Sequence, residues 1–487
     1  MKKKSSEDKL LKSDIQRELK RRKKMTREMA TVTYIVVLIF VAMACYCVWF
    51  LMGASSKILN NPYNKRQDLM AKRVVRGEIL SADQEVLART KVSKKGVETR
   101  EYPYAQVFAP VVGRFSHGKT GLESTEAYTL LTSGVTPLES LKNQLKGKKN
   151  PGNQVVTTLN TRLSQIAYDS LGGYRGAVVA MDPKTGKILV MVSKPTYNPN
   201  TIDRDWDLLE DDSSKLYNRC TQGLYPPGST FKLYTLLEYM KENTGDPAFT
   251  YHCKGKIGEG SEVLHCYGNE VHGKVNLRQA FAKSCNTAFA KIGGQLNREK
   301  FRQLCQKFYY NKAVPLEELE CKENSFPIDS ATSSGDLMQA SIGQGQVLTS
   351  PLQNALLVSA AVNHGKLMKP YLVDKVLNSY GSILSETESK SIKKPLTSKE
   401  AKSLCSYMQS VVQEGTGRGL RTSNYEVGGK TGSAQFEAGS NKSHAWFVGY
   451  CKKGKKALVV SIVVEQAGTG SAYAVPIAKK MFDAYLL

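Results

Sequence analysis

The stretch YPPGSTFKLYTLLEYM, residues 225–240, decides how the fold of this chain is interpreted. It begins with a rigid Pro-Pro-Gly turn that cannot itself be helical, and from Phe231 onwards apolar side chains recur at helical spacing. The pattern predicts that Ser229 opens a helix. Because residues three apart share a helix face, the amine of Lys232 is expected over the Ser229 hydroxyl, where the positive end of the helix favours a developing alkoxide.

A second short motif, Ser284-Cys285-Asn286, lies 55 residues beyond Ser229 by number (284 − 229). Apolar residues at helical spacing run into it over 275–283 and out of it over 287–294. The motif is therefore predicted on a loop between two helices, where its hydroxyl and amide can face one cleft and pass a proton. A serine and an asparagine that merely cap a helix are the alternative.

A third motif, Lys430-Thr431-Gly432, lies in the glycine-flanked segment 427–435. Two strand-like runs follow it, at 445–450 and 457–464, so the pattern predicts an edge strand with a hairpin partner. An edge strand can pair with an extended peptide, and a lysine beside it can hold a terminal carboxylate. A plain turn between strands is the alternative for this motif alone.

The three motifs in this order, S-x-x-K, S-x-N and K-T-G, resemble the set that marks penicillin-recognising serine enzymes. S-x-x-K also occurs at Ser6, Ser116 and Ser391, so the ordered set carries the resemblance. The resemblance covers roughly residues 154–487 and is closest to the monofunctional (class B) penicillin-binding proteins. It implies an α/β (α+β) fold of the penicillin-binding and serine β-lactamase type, with an antiparallel sheet flanked by helices.

The resemblance also implies a role for each residue of the first two motifs. Ser229 would be the nucleophile and Lys232 its base. Ser284 would relay a proton to the leaving group, and the Asn286 amide would bind the acyl donor.

For the third motif, the resemblance implies that Lys430, Thr431 and Gly432 form the strand that binds the donor carboxylate. Backbone N–H groups of Ser229 and Ser433 would form the oxyanion hole. Ser433 stands where many relatives have threonine, and little effect is expected because this position acts through its backbone.

An uncharged stretch, residues 31–53, is long enough to cross a bilayer, for which about 20 apolar residues suffice. Residues 1–30 carry twelve Lys and Arg, so the positive-inside rule predicts a cytoplasmic N-terminus, a single-pass anchor in the cell membrane and an extracytoplasmic catalytic domain. A cleaved signal peptide, with a faint site at 54–56, is the alternative. The net charge of +25 could indicate nucleic-acid binding in a soluble protein, but the span argues against a nucleic-acid partner.

Between the span and the catalytic domain, residues 54–153 are expected to form a non-catalytic, dimerisation-like pedestal module. Three segments, 73–83, 100–104 and 121–124, resemble the pedestal of monofunctional penicillin-binding proteins. About 100 residues are too few for a glycan-polymerising domain. The lysine-rich stretch 142–152 is interpreted as the joint to the transpeptidase domain, residues 154–487, and the resemblance alone implies a membrane-embedded glycan polymerase of the SEDS type as a partner.

Ten cysteines are more than such an enzyme usually needs, and eight of them lie outside the span. Cys253, Cys266, His272 and Cys285 form a Cys3His set in a stretch with little apolar content, which favours a structural zinc site. Some monofunctional relatives look similar here. A Cys253–Cys266 disulfide or free thiols remain open as alternatives.

The resemblance implies a D,D-transpeptidase that cross-links peptidoglycan stem peptides on lipid-linked glycan strands and is inhibited by β-lactams. Catalysis would need no cofactor. Three other functions share parts of the pattern: a membrane-anchored β-lactamase, a penicillin sensor and an inactive scaffold that regulates a polymerase. About 30 cytoplasmic residues cannot hold a sensor's signalling domain, and the three intact motifs argue against an inactive scaffold.

Overall fold

The computed structural model describes residues 2–50, 66–243, 248–259, 263–435 and 442–487, with only the backbone described for residues 2–10. The chain divides into two compact units, residues 1–64 and 65–487. The last three residues of the expected span, 51–53, and the expected start of the pedestal, 54–65, lie outside the described residues.

The first unit contains one long helix, α1 (Lys2–Trp49). No glycine or proline interrupts this stretch, so nothing in its sequence breaks the helix. Its portion Leu11–Trp49 is long and apolar enough to cross a membrane, and the apolar side chains in it are exposed on all sides. The uncharged part of this helix, from residue 31 onwards, is consistent with a single-pass membrane anchor.

The second unit begins with the short elements of the predicted pedestal, followed by a strand that starts at residue 154 of the predicted transpeptidase domain. In chain order they are α2 (Arg66–Ala71), β1 (Val74–Val75), β2 (Ile79–Leu80), β3 (Val86–Val92), β4 (Glu98–Glu101), α3 (Ala109–Val112), α4 (Gly121–Thr125), α5 (Ala127–Leu130), α6 (Pro137–Leu145), β5 (Asn150–Pro151) and β6 (Gln154–Thr157).

The remainder alternates helices with strands. Its first part contains α7 (Thr161–Ser170), β7 (Gly176–Met181), β8 (Ile188–Lys194), α8 (Ile202–Asp211), α9 (Lys232–Glu242), β9 (Thr250–Cys253), β10 (Lys256–Ile257), β11 (Leu264–His265), β12 (Gly273–Asn276), α10 (Leu277–Ala282), α11 (Asn286–Gly293) and α12 (Arg298–Lys307). Its second part contains α13 (Ser334–Ser341), α14 (Pro351–Val362), β13 (Leu367–Met368), β14 (Val373–Leu377), β15 (Ile383–Glu386), β16 (Ser391–Lys393), α15 (Ser398–Gln413), β17 (Glu426–Gln435), β18 (Ser443–Lys453), β19 (Lys456–Val464) and α16 (Gly470–Leu486).

A five-stranded sheet in the order β17-β18-β19-β7-β8 forms the centre of this unit, and every neighbouring pair in it is antiparallel. Alternate residues of its strands enter two apolar cores, as the period of two along a strand requires. One core contains α7 and α16, and the other contains α9, α14 and α15. The expected antiparallel sheet flanked by helices is confirmed.

The three pedestal segments identified in the sequence meet at one buried carboxylate. Arg76 Nε lies 2.6 Å from Glu123 Oε2, and Arg100 Nε lies 2.7 Å from Glu123 Oε1. Burial alone would raise the pKa of Glu123, but the two guanidinium groups outweigh burial and hold that pKa below its ordinary value. Removing one partner of such a buried pair typically costs about 3–5 kcal/mol, so the loss of either partner should destabilise the pedestal core.

The segment expected as a joint, residues 142–152, is more ordered than its composition indicates. It contains the end of α6 and the strand β5, which pairs in parallel with β1. The following strand, β6, pairs with β2 on one side and with β14 on the other. Pedestal and catalytic residues therefore share one six-stranded sheet, β15-β14-β6-β2-β3-β4.

Candidate active site

The predicted nucleophile lies on a tight turn that leads into a helix. Residues Gly228–Phe231 form one 3-10 turn, and α9 starts directly after it at Lys232. Gly228 has φ 53° and its N–H donates to Gly343 O at 2.9 Å, and a Cβ at Gly343 would collide with Gly228 O. The sequence predicted that Ser229 opens the helix, whereas the structure has a 3-10 turn first, because the preceding prolines and the contact with Gly343 tighten the chain here.

Two side chains from the central sheet anchor this turn. Trp446 Nε1 on β18 donates to Pro226 O at 3.0 Å. At the end of β19, Glu465 Oε1 accepts from Tyr225 Oη and from Arg219 Nε, each at 2.8 Å. These contacts fix the position from which Ser229 enters the cleft.

The Ser284-Cys285-Asn286 motif lies on a loop between α10 and α11, as predicted. Ser284 has φ 59°, a left-handed conformation that reverses the chain between the helices. The first helix starts later than the predicted residue 275, because residues 273–276 form β12, and Asn276 with Gln279 forms a capping box that sets the helix start at Leu277.

The Lys430-Thr431-Gly432 motif lies on β17, an edge strand of the central sheet, as predicted. Lys430 is opposite Val448, and Gly432 is opposite Trp446 of β18. A Cβ at Gly432 would lie 3.0 Å from Pro227 O and 3.2 Å from the Thr230 side chain. A glycine at this position therefore lets the strand lie directly against the nucleophile turn.

The side chains of the three motifs converge on the Ser284 hydroxyl. Lys430 Nζ lies 2.8 Å from Ser284 Oγ and Lys232 Nζ lies 3.3 Å from it. Lys232 Nζ also donates to Ser284 O at 2.6 Å and to Asn286 Oδ1 at 2.7 Å. Among the residues that the structure describes, the hydrogen bonds of Lys232 Nζ go to the second motif, and none joins it to Ser229.

One cleft of about 560 Å³ brings the predicted site residues together. Its lining includes Ser229, Ser284, Asn286, Thr431, Gly432 and Ser433. Lys232 and Lys430 are fully buried behind it. The arrangement can present a hydroxyl, two amines and an amide to an extended acyl donor.

Burial changes the protonation of both lysines. It lowers the pKa of Lys232 to about 7. The pKa of Lys430 lies well below its ordinary value because of burial first and the neighbouring Lys232 second. A neutral amine beside Ser284 can accept a proton near neutral pH, which is what a general base needs.

Two contacts at the site involve residues that the sequence did not single out. Thr416, on the loop after α15, shares a hydrogen bond through its hydroxyl with the hydroxyl of Thr431 and also lines the cleft. The Asn286 amide donates through Nδ2 to His265 O at 3.0 Å. No local pattern marks either residue, because each acts through a partner that is distant in sequence.

The four candidate metal ligands also come together. The ligand atoms of Cys253, Cys266, His272 and Cys285 lie within 4.8 Å of one another. Cys266 Sγ is 3.7 Å from Cys253 Sγ and 3.9 Å from Cys285 Sγ, while His272 Nδ1 is 3.5 Å from Cys253 Sγ. The cysteines carry no disulfide in this structure. Cys285 separates Ser284 from Asn286, so the cluster adjoins the proposed catalytic groups.

The fold and the cleft define a serine acyltransferase of the penicillin-recognising type. The penicillin-binding protein transpeptidase domain model matches residues 176–483, and the penicillin-binding protein A dimerisation domain model matches residues 76–155. The chain belongs to the penicillin-binding protein transpeptidase family.

Individual relatives agree with this assignment. The chain is 30% identical to the peptidoglycan D,D-transpeptidase PbpA of Mycolicibacterium smegmatis, over 94% of this chain and 98% of that protein. It is 29% identical to the peptidoglycan D,D-transpeptidase MrdA of Acinetobacter baumannii, over 80% of this chain and 66% of that one. The penicillin G acyl-enzyme complex of penicillin-binding protein A from Mycobacterium tuberculosis is similar in structure, with a TM-score of 0.75, 28% identity and coverage of 85% of this chain and 99% of that one.

Proposed function

We propose that this protein is a D,D-transpeptidase that cross-links peptidoglycan stem peptides through an acyl-serine intermediate. The observation that carries the proposal is the meeting of two buried amines on Ser284 Oγ, in the cleft that Ser229 lines. The names of the relatives and the trapped penicillin acyl-enzyme of a similar structure support it.

In the first half-reaction, Ser229 Oγ attacks the penultimate D-Ala carbonyl of a stem peptide, and the serine proton passes to neutral Lys232 Nζ. A C–O bond forms, and the C–N bond to the terminal D-Ala breaks. Ser284, hydrogen-bonded to Lys232, relays the proton to the departing amine. Backbone N–H groups of Ser229 and Ser433 stabilise the oxyanion.

In the second half-reaction, an amine from a neighbouring stem attacks the ester. A new C–N bond forms, the C–O bond to Ser229 breaks, and the proton that the attacking amine loses returns to Ser229 through Lys232.

Before acylation, the donor's terminal carboxylate is held by Lys430 and the Thr431 hydroxyl. Its negative charge favours a proton on Lys430, which burial otherwise disfavours, so donor binding and protonation of this lysine reinforce each other.

Labelling with fluorescent penicillin tests the nucleophile. The wild type should form a covalent adduct, and Ser229→Ala should form none. Ser391→Ala is a matched control, because Ser391 also starts an S-x-x-K sequence but lies on the short strand β16, and this variant should label normally. Labelling of Ser229→Ala would overturn the assignment.

The rival functions give different outcomes in two further assays. Fast turnover of nitrocefin would indicate a β-lactamase, whereas a transpeptidase should release the acyl group slowly. Restoration of growth by Ser229→Ala in cells that lack the protein would indicate a scaffold.

The proposed location is a single-pass anchor with the N-terminus in the cytoplasm and the catalytic unit outside. The twelve basic residues before the apolar stretch support this orientation. Protease added to intact spheroplasts should digest the catalytic unit and spare a tag at the N-terminus. The opposite pattern would reverse the topology.

The resemblance to monofunctional relatives also supports a proposed partner, a SEDS-type glycan polymerase bound through the pedestal. Substituting Glu123→Gln would leave two guanidinium groups without their buried carboxylate and should release the partner by disrupting the pedestal core. Recovery of tagged protein in mild detergent, followed by mass spectrometry, tests this. Penicillin labelling of the same variant shows whether the catalytic unit still folds.

We also propose a structural zinc ion held by Cys253, Cys266, His272 and Cys285. In a tetrahedral site with Zn–S of about 2.3 Å and Zn–N of about 2.0 Å, sulfur atoms lie about 3.8 Å apart and sulfur lies about 3.5 Å from nitrogen. The observed separations of 3.7 and 3.9 Å between sulfurs, and of 3.5 Å to His272 Nδ1, fit that arrangement. His272 Nε2 is buried without a hydrogen bond and lies 3.6 Å from Glu270 Oε2, a suitable outer partner for a ligating histidine.

The zinc ion would cross-link the loop and take no part in acyl transfer. The nucleophile, the base and the oxyanion donors of that reaction are all supplied by other groups of the chain. Elemental analysis of the purified protein should find about one zinc per chain, and Cys266→Ser should lose it. Metal-free protein with a Cys253–Cys266 bridge would overturn the proposal.

A further inference from the structure

The pedestal helix α6 (Pro137–Leu145) has an apolar face that nothing in the described chain covers. Leu138, Leu141 and Leu145 are 78%, 53% and 81% exposed. Their spacing of three and four residues places them in one row along the helix. Large apolar side chains in a row of this kind usually mark a surface that binds something.

The helix is attached to the pedestal by its polar side. Asn143 Nδ2 donates to Asn150 Oδ1 at 3.0 Å, and Asn150 Nδ2 donates to Ser140 Oγ at 2.8 Å. At 100° per residue, Ser140 and Asn143 lie opposite the leucine row. An amphipathic helix normally turns its apolar face to the core, so this one is oriented the other way round.

The orientation belongs to a well-formed helix rather than a loose segment. Thr136 caps it, accepting from Glu139 N at 3.3 Å, and Pro137 occupies its first turn. The exposed leucines are therefore presented by a fixed element.

Basic residues flank the leucine row. Lys142 and Lys146 are exposed and lie to one side of the row on the helical wheel, and Lys148 follows on the next loop. Lys149 contacts Glu98 and the carbonyl oxygen of Ala71, each at 2.7 Å. A row of leucines bordered by lysines is typical of helices that lie in the headgroup region of an anionic membrane.

The chain that comes from the anchor enters the pedestal at α2 and β1, beside the strand that follows α6. β5, which follows α6, pairs with β1, and α2 (Arg66–Ala71) directly precedes β1. Residues 51–65 lead from α1 to α2, and fifteen residues (65 − 51 + 1) span at most about 54 Å. Leu69 on α2 is also exposed, and Lys72 and Arg73 extend the basic charge.

We propose that α6 binds the anionic membrane in which this chain is anchored, with its leucine row at the acyl boundary and its lysines against lipid phosphates. Such a contact would add a second point of attachment and restrict the tilt of the pedestal on its tether. The binding is independent of the acyl-transfer function.

Hydrogen–deuterium exchange on the full chain in nanodiscs tests the proposal. In discs containing phosphatidylglycerol, exchange across residues 137–146 should slow at least threefold relative to discs of phosphatidylcholine alone and to detergent. Leu141→Gln combined with Leu145→Gln should abolish the slowing, and Lys142→Glu combined with Lys146→Glu should remove its dependence on anionic lipid. Leu208→Gln on α8, a leucine 66% exposed in the catalytic unit, is the matched control and should change nothing.

All these variants should still label with penicillin, because the substituted side chains lie on the surface away from the cleft. Equal exchange in the three environments would overturn the proposal. Slowing that required an added membrane protein, and not anionic lipid, would overturn it in favour of a protein partner at the same face.

Discussion

The two sides of the active-site cleft are stabilised in different ways. One side, the sheet wall, is β17 (Glu426–Gln435), hydrogen-bonded along its length to β18 and backed by buried apolar side chains. The other, the cysteine wall, comprises the described residues of 250–276, whose strands are two to four residues long and pair only within the wall. Backbone pairing and apolar burial fix the first wall, whereas the second brings three thiols and an imidazole together, the groups proposed above to hold zinc.

With the zinc ion proposed above, one wall of the cleft is made by folding and the other depends on a local cross-link. The walls are joined through the second motif, here called the meeting point. Lys430 of the sheet wall and Lys232 both contact Ser284, and Asn286 donates to His265 of the cysteine wall. Perturbing the meeting point should stop catalysis, while perturbing one wall should leave the other in place.

The largest effect is expected at the meeting point. Lys232→Ala removes the base without altering either wall and should slow acylation by penicillin about 10²–10⁴-fold. Stopped-flow or time-resolved fluorescence measures the rate, with Lys291→Ala on the exposed side of α11 as the control. A wild-type rate in Lys232→Ala would show that another group takes the serine proton.

Breaking the cysteine wall should have the next largest effect. Cys266→Ser should slow acylation about 10–100-fold, because loss of the cross-link displaces Asn286 by a fraction of an ångström to an ångström. Hydrogen exchange should rise across residues 250–276 and stay unchanged across β17. Cys220→Ser is the matched control: its buried thiol lies 3.1 Å from Val192 O, a contact that a hydroxyl can keep. Equal loosening of both walls would contradict the comparison.

The pH dependence of acylation sharpens the comparison, because it reports on the burial of Lys232 at the meeting point. Burial lowers the pKa of Lys232 to about 7, so the amine is protonated below that pH and free to act as a base above it. The acylation rate should therefore rise about tenfold from pH 6 to pH 8 and then level off. A midpoint near pH 10 would mean that water reaches the amine.

The smallest effect is expected within the sheet wall. Thr416→Val removes the hydroxyl that hydrogen-bonds Thr431 and preserves the side-chain shape. The loss of one neutral hydrogen bond, about 1 kcal/mol, should weaken acylation about fivefold, mainly through donor binding. Thr422→Val, at a position away from that contact, serves as the control. A loss seen only in the limiting rate at saturating penicillin would instead place Thr416 in proton transfer.

The sequence predicted those parts of the site that depend on local patterns. Helical spacing on both sides of Ser284 predicted its loop, and flanking glycines with strand-like runs predicted the edge position of Lys430. The spacing of cysteines in a poorly apolar stretch was enough to group the four ligands that the structure brings together.

Contacts between distant segments were not predictable in the same way. Residue spacing placed the Lys232 amine over Ser229, but it did not indicate that the amine also donates to the Ser284 carbonyl and to Asn286, because these bonds depend on how the loop after α10 packs against α9. The hydrogen bond from Thr416 to Thr431 also depends on tertiary packing. The sequence did not predict that α6 exposes an apolar face, because the lysine-rich composition of this segment is typical of a linker.

The planar side-chain amide of Asn286 links Lys232 to the cysteine wall. Its oxygen accepts from Lys232 and its nitrogen donates to the backbone of His265, so neither bond can shift without turning the whole group. A displacement of the backbone at His265 would therefore turn this amide and move its oxygen away from the Lys232 amine. The position of the proton-accepting group thus depends on a segment that is remote from it in sequence.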